Sequence, residues 1–113
     1  MPVENVALTE AVYYILLSLH TPLHGYGIMQ NAEVLSGGRV RLAAGTLYGA
    51  LNTLVLKRWI QALPGESGKP PGNDRKKEYV VTDLGREAAR MELERLRELL
   101  RNGEHIIEGR NRT

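Results

Sequence analysis

The 113-residue chain has no cysteine, which excludes disulfides, thiolate metal sites and a cysteine nucleophile. It has no long apolar run either. The longest, Ala11 to Leu17, is far short of the roughly 20 residues a membrane helix needs. No basic stretch precedes an apolar core at the N-terminus, so no secretory signal is expected and the expected location is the cytoplasm. His20, His24 and His105 lack ligand-like spacing, and no acidic pair sits on a glycine-rich loop. Catalysis, a metal and a cofactor are therefore all unexpected. His24 and Tyr26 are better read as turn residues that satisfy nearby backbone groups. The first 38 residues contain no Lys or Arg at all.

That last absence matters because the net charge of +2 is unevenly spread. Residues 1–38 carry only Glu4, Glu10 and Glu33. Residues 39–77 hold Arg39, Arg41, Lys57, Arg58, Lys69, Arg75, Lys76 and Lys77 against Glu66 and Asp74. Residues 78–113 are close to balance. A polyanion would be drawn to the middle of the chain, with a solvated basic face as the plain alternative.

Apolar spacing predicts a helix over about Asn5–His20, with Ala7, Leu8, Ala11, Val12, Ile15, Leu16 and Leu19 on one face. Thr21-Pro22 stops it. A second helix over Tyr26–Leu35 would face the core with Ile28, Met29, Ala32 and Leu35, and Gly37-Gly38 would end it. Arg39-Val40-Arg41-Leu42 alternates and reads as a short strand. A third helix over about Ala44–Arg58 buries Leu47, Leu51, Leu54 and Val55. Its other face carries Thr46, Gly49, Asn52, Thr53 and Lys57, small and nearly uncharged, which suits close approach to a surface.

Trp59–Leu63 and Lys77–Val81 read as antiparallel strands, with Tyr79 and Val81 on one face and Trp59 in the core. Pro64–Lys76, with three Gly and three Pro, reads as an exposed, mobile basic loop. Together they make a wing. Thr82 or Asp83 caps the last helix, expected to end near Asn102-Gly103. In it Ala89, Leu93, Leu96 and Leu100 repeat at steps of four, three and four. About 20 residues span roughly 30 Å, longer than a small winged domain can cover. The seam therefore predicts a homodimer about a two-fold axis. The division expected is a winged helix-turn-helix domain over 1–82 and a C-terminal dimerisation helix and tail over 83–113. The fold class is mainly α with a small two- or three-stranded β wing.

Three stretches then stand out: Leu23-His24-Gly25-Tyr26-Gly27-Ile28, Gly45-Thr46-Leu47-Tyr48-Gly49-Ala50-Leu51, and Lys77-Glu78-Tyr79-Val80-Val81-Thr82-Asp83-Leu84-Gly85. In this order and spacing the chain resembles the PadR family of transcriptional regulators, in its short form with one C-terminal helix. The resemblance implies a dimer that binds palindromic double-stranded DNA and usually represses. It puts the third helix in the major groove and the wing beside the minor groove or backbone. Carried over, Gly45, Thr46 and Tyr48 sit at the DNA face, and Asn52 is the best candidate for a base edge. Phosphate contacts fall to Arg39, Arg41, Lys69, Arg75, Lys76 and Lys77.

The sequence departs from the family where Ser-Pro commonly precedes Gly-Thr-Leu-Tyr. It has Ala43-Ala44, which removes the usual cap of the third helix. Gly49 stands where proline is frequent, and the second helix offers no cation. Some short relatives hold flat aromatic drugs between tryptophans of the last helix. That helix has no tryptophan here, leaving Met91, Leu93 and Leu96 as the candidate effector cleft. A winged-helix module that binds protein instead of DNA is the alternative, and the polar third helix and basic middle block argue against it.

Overall fold

The computed structural model describes residues 7–64 and 77–109. The first helix, α1 (Glu10–Ser18), starts where Thr9 Oγ1 accepts the Val12 amide at 3.1 Å. Ile15, Leu16 and Leu19 are fully buried. A two-residue strand, β1 (Leu23–His24), leads directly into α2 (Gly25–Leu35). The His24 imidazole caps α2 by accepting the Gly27 amide at 3.1 Å, the local role expected of it. The glycine stop also holds: Gly38 N–H reaches Glu33 O at 2.8 Å and Gly37 N–H reaches Val34 O at 3.1 Å, with φ of 88° and 66°. This pair of hydrogen bonds satisfies the last carbonyls and needs the left-handed backbone that glycine adopts freely.

The strand expected at Arg39–Leu42 does not form. The sheet is completed instead by β1, which pairs with the strand at Glu78–Val81, Leu23 opposite Tyr79, on the edge away from the strand at Ile60–Ala62. Arg39 and Arg41 pair with acids, and Val40 N–H donates to Ser36 Oγ at 2.8 Å, so the loop's polar groups are engaged locally. Leu35, expected in the core, is half exposed at the end of α2, and Val55 likewise turns outward.

The third helix, α3 (Ala44–Leu56), buries Leu47, Leu51 and Leu54. At its end Trp59 N–H bonds Leu54 O and Arg58 N–H bonds Val55 O, both at 3.0 Å. This places Arg58 at φ 63°, the one non-glycine residue of positive φ among those described. A left-handed β-carbon costs about 1–2 kcal/mol. Arg58→Gly is therefore expected to raise stability by about 0.5–1 kcal/mol, or a few degrees in Tm, in a thermal melt. An unchanged or lower Tm would show that the Arg58 side chain contributes more than its strained backbone costs.

β2 (Ile60–Ala62) pairs antiparallel with β3 (Glu78–Val81), Ile60 opposite Val81. Ile60, Tyr79 and Val81 close the core on the sheet side, as the alternation predicts for the last two. The last helix, α4 (Asp83–Ile107), is capped by Thr82, whose Oγ1 accepts the Gly85 amide at 3.1 Å. It runs through Asn102-Gly103, the expected stop, and ends at Glu108, before Gly109 at φ 67°. One interior glycine costs only about 1 kcal/mol, which the surrounding helix formers outweigh. The pairs Arg90–Glu87 and Arg97–Glu94 lie along its exposed side. With α4 projecting, the chain measures 60 × 34 × 20 Å. No described helix is long and apolar enough to cross a membrane.

Candidate nucleic-acid interface

α2 and α3 are joined by residues 36–43, and the two strands after α3 make the base of a wing, the arrangement of a winged helix-turn-helix. The outward face of α3 is made by Gly45, Thr46, Gly49, Asn52 and Thr53, all exposed. A β-carbon added at Gly45 or Gly49 would meet nothing within 4 Å. Thr53 Oγ1 is occupied by the Gly49 carbonyl at 3.2 Å, which leaves the Thr46 hydroxyl and the Asn52 amide as the forward polar groups of the strip. Leu56 extends this side at 83% exposure, an apolar element the sequence reading did not place there.

Tyr48 sits differently. It is half-buried, and its ring lies over the first residue of α2, where a β-carbon at Gly25 would be 2.8 Å from Cζ and closer still to the hydroxyl oxygen. Two of the three sequence stretches thus meet in one contact: Gly25 is small so that Tyr48 can brace α3 against α2. The phenol stays at the edge of the α3 face, near the N-terminus of α2.

The entry to α3 has no side-chain cap, as Ala43 leads one to expect; only the backbone bond from Leu47 N–H to Ala43 O, 2.9 Å, closes the first turn. Arg39 grips Glu10 with two guanidinium nitrogens, one at 2.8 Å, and Arg41 Nε lies 3.8 Å from Glu33 Oε2. The hydrogen bond from Arg39 holds the Glu10 carboxyl below its ordinary pKa. Arg39 and Arg41, two of the three arginines assigned to phosphate, are thus already paired with acids from the cation-free first segment. Lys57 Nζ stands 4.7 Å from the centre of the Trp59 ring, a cation–π contact, and Trp59 packs half-buried against the core. Lys77 is half-buried beside β3, while Lys69, Arg75 and Lys76 lie outside the described residues.

On α4, Ala89 is 5% exposed and belongs to the domain's own core, so the free apolar face begins at Leu93. Leu93 and Leu96 are each 38% exposed, and Leu99, Leu100, Ile106 and Ile107 more so. Met91 does not join them. At about 100° per residue it points some 140–160° away from Leu93 and Leu96, and it borders an open groove with Arg90, Glu94 and Arg95. The three therefore do not form one cleft. Sequence reasoning also passed over Glu92, which is 4% exposed. It takes two bonds from Arg95, at 2.8 and 2.6 Å, and one from the Leu8 amide at 3.3 Å, and the Arg95 bonds lower its pKa. Its signal was available: Glu92 falls on the apolar side of α4, with an arginine three residues on.

These features define a winged helix-turn-helix protein with a projecting C-terminal helix. The family model described as "Transcriptional regulator PadR-like family" matches residues 14–91. The chain belongs to that family, which is non-enzymatic and whose membership implies DNA binding. Similar solved structures include a PadR family regulator from Clostridium difficile, at 21% identity and TM-score 0.69 over 86% of this chain and 97% of that one. A transcriptional regulator from Clostridium thermocellum matches at 18% identity and TM-score 0.68, over 87% and 89% of the two chains. A PadR family regulator from Eggerthella lenta matches at 25% identity and TM-score 0.62, over 88% and 82%. No curated protein matches the chain.

Proposed function

We propose that this regulator is a cytoplasmic repressor that binds a palindromic operator as a homodimer. Two copies pair through the Leu93, Leu96 and Leu100 face of α4 about a two-fold axis, and each presents α3 to a major groove about one helical turn from the other. The observation that carries the reading is the pair of unmatched faces on one chain: a flat polar strip on α3 and an exposed apolar stripe on α4. Asn52 and Thr46 face the base edges, while the Gly45 backbone and the Tyr48 phenol lie toward phosphate. An effector site built on α4 would use Leu93 and Leu96 without Met91.

Because Arg39 and Arg41 are engaged by Glu10 and Glu33, charge for phosphate falls mainly to the wing. Replacing Arg75, Lys76 and Lys77 together by alanine is expected to weaken binding to every duplex about 10- to 100-fold at physiological salt. It should also flatten the slope of log K against log salt by about two to three. An electrophoretic shift series over salt reads both. Unchanged affinity and slope would take the wing out of the interface. Selecting bound fragments from genomic DNA tests the reading as a whole: recovery of an inverted repeat supports it, and fragments with no common repeat count against it.

A further inference from the structure

The loop that enters the reading helix has little of its own to hold it. Its backbone bonds run back only to the end of α2: beyond the two glycines, Arg39 N–H reaches Ser36 O at 3.3 Å and Val40 N–H the Ser36 hydroxyl at 2.8 Å. Ala43 supplies no cap. What reaches outward are two arginines, two residues apart, directed to two different helices. Arg39 forks onto Glu10, the first residue of α1, and Arg41 reaches Glu33 in the last turn of α2. Just after them Leu42 packs half-buried against the core. A chain held by two successive ties and then by an apolar anchor directly before α3 keeps one path, and that path sets where α3 begins.

We propose that Glu10 and Glu33 are positioning residues for DNA recognition, holding the 36–43 loop through Arg39 and Arg41 and replacing the missing side-chain cap of α3. In this role the two arginines stay on their acids when DNA is bound. The opposite role, in which Arg39 leaves Glu10 for a phosphate, makes Glu10 a competitor of DNA. The two roles predict opposite signs. A single exposed pair is weak, so the expected effect is modest but its direction is decisive.

Glu10→Gln is the test, made in the full chain and read in two ways. Hydrogen exchange needs no operator. The Leu47 and Tyr48 amides, the first that bond inside α3, are expected to exchange about three- to five-fold faster, with α4 amides unchanged. Affinity for a duplex recovered by the genomic selection is expected to fall by a similar factor, although the variant has lost a negative charge, and the salt slope is expected to stay as it was. Adding Ala43→Ser, which restores a cap to α3, should recover both. Higher affinity, a steeper slope, no change, or a loss that the new cap leaves uncorrected overturns the proposal. The exchange result stands whether or not the selected duplex is a true operator, so failure of this inference and failure of the repressor reading can be told apart.

Discussion

Alanine at Gly85 is expected to cost about 3–5 kcal/mol, a large part of the total stability of a domain of this size. An added β-carbon would lie 2.7 Å from Val81 Cγ2 and 2.8 Å from the Trp59 carbonyl carbon, and closer still to the Trp59 oxygen. The neighbours that would have to move are mostly backbone. Trp59 O already accepts the Thr82 amide at 2.9 Å, Thr82 Oγ1 donates to Arg58 O at 2.6 Å, and Trp59 N–H is bonded to Leu54. Relieving the clash means breaking part of this set, at roughly 0.5–1.5 kcal/mol for each bond on top of the overpacking. Urea denaturation would show it as a large drop in midpoint. Gly103 in the same helix is the control, since nothing lies within 4 Å of a β-carbon there and alanine should be neutral or stabilising. Equal effects at the two glycines would refute the close-approach argument.

Leu96→Glu is expected to abolish dimerisation at micromolar concentration while leaving the monomer folded. Leu96 is 38% exposed in the single chain, so the substitution removes little from the domain's own core. In a two-fold dimer it acts twice, losing apolar burial in each copy and placing two carboxylates in an apolar seam. A weakening of at least about 100-fold follows from these costs. Sedimentation should then report a monomer with a nearly unchanged melting temperature, and a palindromic duplex should be bound no better than its half-site. A variant that stays dimeric would place the interface elsewhere.

The regular parts of this fold were readable wherever a residue acts locally. Thr82 as a cap, Gly37-Gly38 as a stop and the alternation of Tyr79 and Val81 each follow from chemistry within a few positions. What misled was whatever depends on a distant partner. Arg39–Leu42 has the alternation of a strand, but β3 had already been paired by Leu23–His24, two residues too few to leave a periodic signal. Ala89 and Leu93 are equivalent in the seam by spacing, yet the first is buried in the domain's own core and the second is exposed. Asn102-Gly103 has the composition of a helix end, and no neighbouring signal revealed that α4 would continue to Ile107. At the candidate interface, the strip on α3 was legible from polarity alone. The acids that engage Arg39 and Arg41 were not, because Glu10 is 29 residues away from Arg39 in sequence.

The joint at Trp59, Thr82 and Gly85 bears on how two reading helices would be spaced. It fuses the end of α3 to the start of α4, so the two behave as arms of one set square. In the proposed dimer, a tilt of one α4 against its twin would then be passed on to the tip of the other arm, α3. Over an arm of about 20 Å, the length of the 13 residues of α3, a tilt of about ten degrees moves that tip by about 3.5 Å. A base-pair step is about 3.4 Å, so such a tilt shifts a reading head by about one letter of its site.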